Sequence, residues 1–182
     1  MSADRLLRTV VAALDAAGVP HMVVGSYASS SHGAPRSTND IDLVIDPTPE
    51  TLPRFLAAFE DPRYYVPPSA LAALAPRDQF NVIDTTTGWK VDLVIRKDRP
   101  FSRAEFDRRL AAHVLGADVW LATVEDTVLA KLEWAAMGGS DRQLHDAATV
   151  LAVHAGDVDD EYLDHWAADL GVTELLARAR QG

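Results

Sequence analysis

Two acidic residues stand where an apolar strand has no need of them. Asp40 and Asp42 lie two apart within Asp40-Ile41-Asp42-Leu43-Val44-Ile45. The run has the β-branched make-up of a buried strand, whose side chains alternate faces with a period of two. Both carboxylates therefore share a face, roughly 6–7 Å apart by strand rise. Like charges at such positions repel and favour no fold unless a cation lies between them. Hard carboxylate oxygens suit Mg²⁺, which keeps several waters and takes its remaining ligands from substrate phosphates. Upstream, Gly25-Ser26 separates the apolar Met22-Val23-Val24 from a small-residue stretch, Tyr27 to His32. A glycine lets the backbone approach a phosphate closely, and a helix start offers free N–H groups. One piece suits a metal, the other a triphosphate.

Gly25-Ser26, thirteen residues, then Asp40-Ile41-Asp42 between apolar neighbours resembles the signature of the nucleotidyltransferase superfamily, whose founding member is DNA polymerase beta. The resemblance implies a third carboxylate from a later strand, and Lys90-Val91-Asp92-Leu93-Val94-Ile95 supplies a single Asp there. Gly33-Ala34-Pro35-Arg36-Ser37-Thr38 is similar to the subgroup of abortive-infection and toxin nucleotidyltransferases. In that subgroup a Lys-Leu pair in a later helix is similar to Lys131-Leu132, and a downstream Arg and Asp resemble Arg142 and Asp146. His145 stands where the subgroup often has Lys. The resemblance implies a lysine reaching nucleotide phosphates.

Composition bounds the rest. With 182 residues and 48% hydrophobic content the chain can bury a substantial core. No apolar run approaches the roughly 20 residues of a membrane span. The N-terminus mixes charged and apolar residues (Asp4, Arg5, Arg8, Asp15), so neither a signal nor a transit peptide is expected, and a cytoplasmic protein is. The absence of cysteine excludes disulfides and thiolate metal sites. From Thr123 onward there are 12 acidic and 4 basic residues, so that part is no general nucleic-acid platform. Arg96, Lys97, Arg99, Arg103, Arg108 and Arg109 form a basic cluster upstream, open to reading as a phosphate-facing patch or a solvated face.

The elements that must position these residues follow from periodicity. Leu6, Leu7, Val10, Val11, Leu14 and Ala17 predict an amphipathic helix ended by Gly18-Val19-Pro20. A helix is expected over Glu50 to Phe59, a short strand over Tyr64 to Val66, a brief helix to Ala75, and a hairpin of Phe80–Asp84 with Trp89–Ile95. Phe101 to Leu110 reads as helix and Val119 to Ala122 as the last strand. From Thr123, an N-cap, the period is helical: one helix to Gly138-Gly139, a second opened by a capping box at Ser140-Asp141-Arg142-Gln143, then Asp160–Leu170 and Val172–Ala179. The expected fold is α/β (α+β), a nucleotidyltransferase-like mixed sheet with flanking helices in residues 1–122, followed by a C-terminal helical bundle in 123–182.

Lys131 projects at the margin of an apolar helix face, where it either snorkels or meets a phosphate. Arg142 and Asp146 are spaced as a surface ion pair, yet apolar residues flank both sides of their helix, which points Asp146 toward the site. The His145-Asp146 doublet lacks the further ligands of a metal phosphohydrolase. His21 and His32 read as capping or surface residues, and Trp134, Trp166 and Tyr162 as core. The reading is a Mg²⁺-dependent enzyme, with Mn²⁺ as a substitute, moving an NMP from an NTP to an acceptor hydroxyl. Asp40, Asp42 and Asp92 are the catalytic and metal residues; Gly25, Ser26, Arg36, Lys131 and Asp146 serve the nucleotide. The acceptor is a small molecule, a protein or an RNA end, with RNA unsupported by net charge. The alternative is a catalytically silent binding protein, such as one half of a toxin–antitoxin pair.

Overall fold

The computed structural model describes residues 3–35 and 37–182. The N-terminal elements are α1 (Ala3–Ala17), β1 (His21–Val24), α2 (Gly25–Ser31), β2 (Asp40–Ile45), α3 (Thr51–Ala57), β3 (Tyr64–Tyr65) and a 3-10 turn (Ala70–Leu74). They continue with β4 (Gln79–Asp84), β5 (Lys90–Ile95), α4 (Pro100–Asp107), β6 (Leu110–Val114) and β7 (Ala117–Leu121). Four helices complete the chain: α5 (Val124–Gly138), α6 (Asp141–Val153), α7 (Asp160–Asp169) and α8 (Thr173–Ala179). The architecture is the expected mixed sheet with flanking helices and a C-terminal helical bundle.

The strands form one sheet in the order β3-β4-β5-β2-β1-β7-β6. At its centre β2 runs antiparallel to β1 and parallel to β5. A central strand is covered on both faces, and the alternation in β2 sorts them. Ile41, Leu43 and Ile45 are fully buried with Val91, Leu93 and Ile95 of β5 against Leu6, Leu7, Val10 and Leu14 of α1. Each such side chain contributes about 1.5–3 kcal/mol on burial. That core fixes the register, so Asp40, Asp42 and Val44 must face the other way. Over that second face lie a small apolar cluster (Met22, Val44, Phe106, Ala122) and the helical core of Phe101, Val128, Leu129, Leu132, Val150 and Leu163.

One expected helix is too long, and the strand that follows it was not expected. The helix read from Phe101 to Leu110 ends at Asp107, and Leu110–Val114 is a strand paired antiparallel with β7. Leu is a strong helix former, and Leu110 therefore reads as the end of that helix. Pairing with β7 through Leu115 (φ 49°) and Gly116 (φ 73°), two left-handed residues in succession, overrides that propensity. In addition, α2 takes in Gly25 and Ser26, so the helix starts at the glycine itself. Among the described residues no helix is long and apolar enough to cross a membrane.

Candidate active site

The register of β2 on β5 sets Asp40 opposite Lys90 and Asp42 opposite Asp92. These four residues make a rectangle of three carboxylates and one ammonium on the face away from the main core. Lys90 Nζ lies 2.8 Å from Asp92 Oδ2 and 3.6 Å from Asp40 Oδ1. Its own pKa is raised, first by the hydrogen bond to Asp92. Asp42 is largely enclosed. Burial pushes its carboxyl upward, the facing Asp92 pushes it further, and hydrogen bonding from the Ser26 backbone N–H opposes both. Gly25, at φ 64°, lies so close to Asp42 that an added Cβ would stand 2.1 Å from Oδ2. The Gly25-Ser26 step thus holds a carboxylate in this structure.

Asp42 and Asp92, with Gly25 and Ser26, border a cleft of about 330 Å³. Val24, Val44, Val94 and Ala122 floor it, Asp42 and Asp92 stand at its edge, and α5 overhangs it with Ala130, Lys131 and Trp134. The opposite wall runs through Arg96, Lys97 and Arg99 into α4, where Ser102 and Glu105 complete the lining. Thr123 caps α5, its hydroxyl accepting from the Asp126 N–H, so the helix starts where β7 ends and leans over the floor.

Lys131 does not snorkel. It is 4% exposed, and its ammonium donates to Asp146 Oδ2 (2.8 Å) and Gln143 Oε1 (3.1 Å). Gln143 was expected to close a capping box with Ser140; the Ser140 side chain makes no cap hydrogen bond, and Gln143 reaches Lys131 instead. Asp146 is buried behind Lys131, whereas Arg142 is exposed. The helix carrying them buries mainly one side, Asp146, Ala147, Val150 and Leu151, instead of the two expected. Arg36 lies outside the described residues.

Several other expectations change. Trp134 is no core residue: it is 51% exposed at the cleft mouth, beside Met137. His21 is buried, its ring near the Val19 carbonyl, while His32 Nε2 bonds the Ala122 carbonyl at 2.8 Å. The basic cluster is spent largely on internal partners. Arg96 pairs with Asp46, Arg99 with Glu133, Arg103 with Asp98, and Arg108 with Glu125; Arg109 donates to the Phe106 carbonyl and stacks on its ring.

Two residues were missed in the sequence. Lys90 is two before Asp92, and the period of two already placed it on the carboxylate face. Glu105 is buried in the cleft wall, its carboxyl pushed up to about 8 by burial and then by Asp126. It follows Phe101 by four on α4, which puts it on the apolar side of that helix. Asp126 itself is fully buried and raised by burial, against hydrogen bonds from Tyr162 Oη (2.6 Å) and the Thr123 hydroxyl.

As they stand, no three acidic or histidine side chains among the described residues close a metal site. The donors nevertheless fit a hard divalent cation. All are carboxylates, Asp42 and Asp92 face one another across adjacent strands, and the space between Asp92 and Asp40 already holds a positive charge, that of Lys90.

No protein-family model matches the sequence, and no curated protein matches it. Among solved structures the fold is similar to the antibiotic-resistance factor ANT(2'')-Ia in solution, at TM-score 0.62 and 14% identity over 98% of this chain and 96% of that one. The crystal structure of ANT(2'')-Ia with adenylyl-2''-tobramycin aligns at TM-score 0.60 and 15% identity, over 98% of both chains. An antigenic nucleotidyltransferase-like protein from Paracoccidioides brasiliensis aligns at 0.56 and 16%, over 97% and 92%. At such identities the likeness is one of fold.

Proposed function

We propose that this chain, which has the nucleotidyltransferase fold, transfers a nucleoside monophosphate from an NTP to an acceptor hydroxyl and releases pyrophosphate. The observation that carries the reading is the pairing of Asp42 with Asp92 at the edge of a cleft, with Asp40 next to them on the same face of β2. Asp40, Asp42 and Asp92 would hold Mg²⁺ or Mn²⁺. When bound, the metal supplies charge neutralisation at the phosphates and lowers the pKa of the acceptor hydroxyl. The acceptor oxygen bonds to the α-phosphorus as its proton is lost, and the bond to the bridging oxygen breaks, its electron pair leaving with pyrophosphate.

The protein's own groups supply orientation and charge. Ser26 and the backbone amides near it, beside Asp42 at the edge of the cleft, would grip the outer phosphates. Lys131 lines the cleft, its ammonium held by Asp146 and Gln143, and would offset charge developing on the leaving group. Arg36 is the other candidate for that task. We read residues 1–122 as the catalytic part and 123–182 as the helical wall that closes it, in a cytoplasmic protein.

For the acceptor we favour a small cationic molecule bearing hydroxyls: residues 123–182 carry 12 acidic and 4 basic side chains, and adenylyl-2''-tobramycin is bound in the similar ANT(2'')-Ia structure. A second reading, a silent binding protein such as a toxin–antitoxin partner, is favoured by one observation: Lys90 stands among the carboxylates. Pyrophosphate release from the four common NTPs with Mg²⁺, with and without hydroxylated polyamines, tests the proposal. Release that depends on an acceptor and falls roughly a thousandfold in Asp42→Asn is expected. No release, alongside tight binding of another protein, overturns it.

A further inference from the structure

Lys90 is an odd neighbour for a metal site, since a fixed ammonium repels the cation that the carboxylates attract. Its position is nevertheless dictated. It shares the β5 face with Asp92, opposes Asp40 on β2, and opposes only the apolar Ile83 on β4. Without it, Asp40, Asp42 and Asp92 would place three negative charges on adjacent positions of two strands, Asp42 being largely out of water. The ammonium reaches Asp92 at 2.8 Å and Asp40 at 3.6 Å, so one charge serves carboxylates on both strands. Lys90 is partly exposed, at 35% of its side chain, and a four-carbon stem lets it swing into solvent without disturbing the sheet.

We propose that Lys90 is the positioning residue of the carboxylate cluster: its ammonium bridges Asp92 and Asp40 when no metal is present, and an incoming divalent cation displaces it. The inference rests on the reading of Asp40, Asp42 and Asp92 as metal ligands. It adds two consequences. The ion-free site is held together and spared the repulsion of three uncompensated acids. The metal pays for displacement, so its affinity is set by competition with an internal cation and is weaker than the three carboxylates alone would give.

The experiment is a Mn²⁺ titration of the full chain without nucleotide, read by the loss of the free-ion electron paramagnetic resonance signal, with metal-free melting alongside. Wild type, Lys90→Met and Lys90→Arg are compared at one ionic strength, and Lys90→Gln replaces the Met variant if that fails to fold. Expected is about tenfold tighter Mn²⁺ binding by Lys90→Met, the size of one nearby like charge removed in a partly solvated site, together with a lower metal-free melting temperature. Lys90→Arg keeps the positive charge and binds no tighter than wild type. A surface ion pair without this role would leave Mn²⁺ affinity unmoved. Equal or weaker binding by Lys90→Met, with wild type binding normally, overturns the inference and leaves the metal reading standing. If wild type and all variants fail to bind Mn²⁺, the metal reading falls and takes this inference with it.

Discussion

Gly25 and Asp42 occupy one another's space. A Cβ on Gly25 would stand 2.1 Å from Asp42 Oδ2 and 2.7 Å from its Cγ, and the Gly25 backbone sits at φ 64°, where L side chains are strained. The glycine is therefore required twice, once by its dihedral and once by the carboxylate. Gly18 separates the two demands, since at φ 71° nothing lies within 4 Å of its would-be Cβ. Gly18→Ala should cost about 1–2 kcal/mol for the dihedral alone. Gly25→Ala should cost more, and it should displace Asp42 and weaken Mn²⁺ binding. Denaturant unfolding of both variants checks this, and equal costs would show that Asp42 moves aside freely.

Asp42→Asn removes a charge that burial and Asp92 both oppose, while an amide oxygen can still accept from the Ser26 N–H. The native carboxyl has a raised pKa, so the native state holds its proton at pH values where the unfolded chain has released it. Stability from this group is therefore lost as pH rises from the ordinary carboxylate range through the raised value. Metal-free Asp42→Asn should melt above wild type at neutral pH and level with it in acid, while turnover falls by roughly a thousandfold, a barrier increase of about 4 kcal/mol. A variant that melts well below wild type at neutral pH would make Asp42 a structural residue.

Glu105 gives a wider pH effect. Its folded pKa of about 8 stands above the ordinary 4.5, first through burial and then through Asp126. Between those values the folded state carries a proton that the unfolded state does not, so stability falls as pH rises, by up to about 1.4 kcal/mol per pH unit for one proton. Glu105→Gln should flatten that slope and raise stability above pH 8, leaving it unchanged below pH 4. Urea unfolding midpoints from pH 4 to 9 read the difference directly; parallel profiles for the two proteins would place an ionised Glu105 in the native cleft.

The parts legible in the sequence were those governed by local periodicity. The alternation of Ile41, Leu43 and Ile45 with Asp40 and Asp42 fixed both the strand and its two faces, and Thr123 announced the start of α5. What escaped depended on partners distant along the chain. Leu110–Val114 became a strand because β7 offered it a ladder. Trp134 has the helical spacing of a core residue, but the face it occupies looks into a cleft and not into packed side chains. Gln143 had the spacing of a capping residue, and only the approach of α5 to α6 brings Lys131 within its reach. Lys90 and Glu105 were passed over although their faces were predictable, because a lone charge beside an acid or a phenylalanine carries no signal until the opposing element is placed.

Lys131 and Asp146 form a buried ion pair beside the cleft. Both are buried, and their charges meet at 2.8 Å across α5 and α6. Lys131→Met removes the ammonium that compensates a buried carboxylate, so it should destabilise the protein by about 3 kcal/mol. Any loss of nucleotide binding in that variant is then ambiguous. The double variant Lys131→Met with Asp146→Leu removes both charges, which an apolar pair of similar volume replaces at little cost, and most of the stability should return. Affinity for a non-hydrolysable NTP should not return, because the ammonium at the cleft is still missing. Calorimetric titration of the four proteins of this cycle, each with its melting temperature, resolves the two roles. NTP affinity restored in step with stability would reduce Lys131 to an ion pair that holds α5 to α6 and would leave the triphosphate without its cation on that wall.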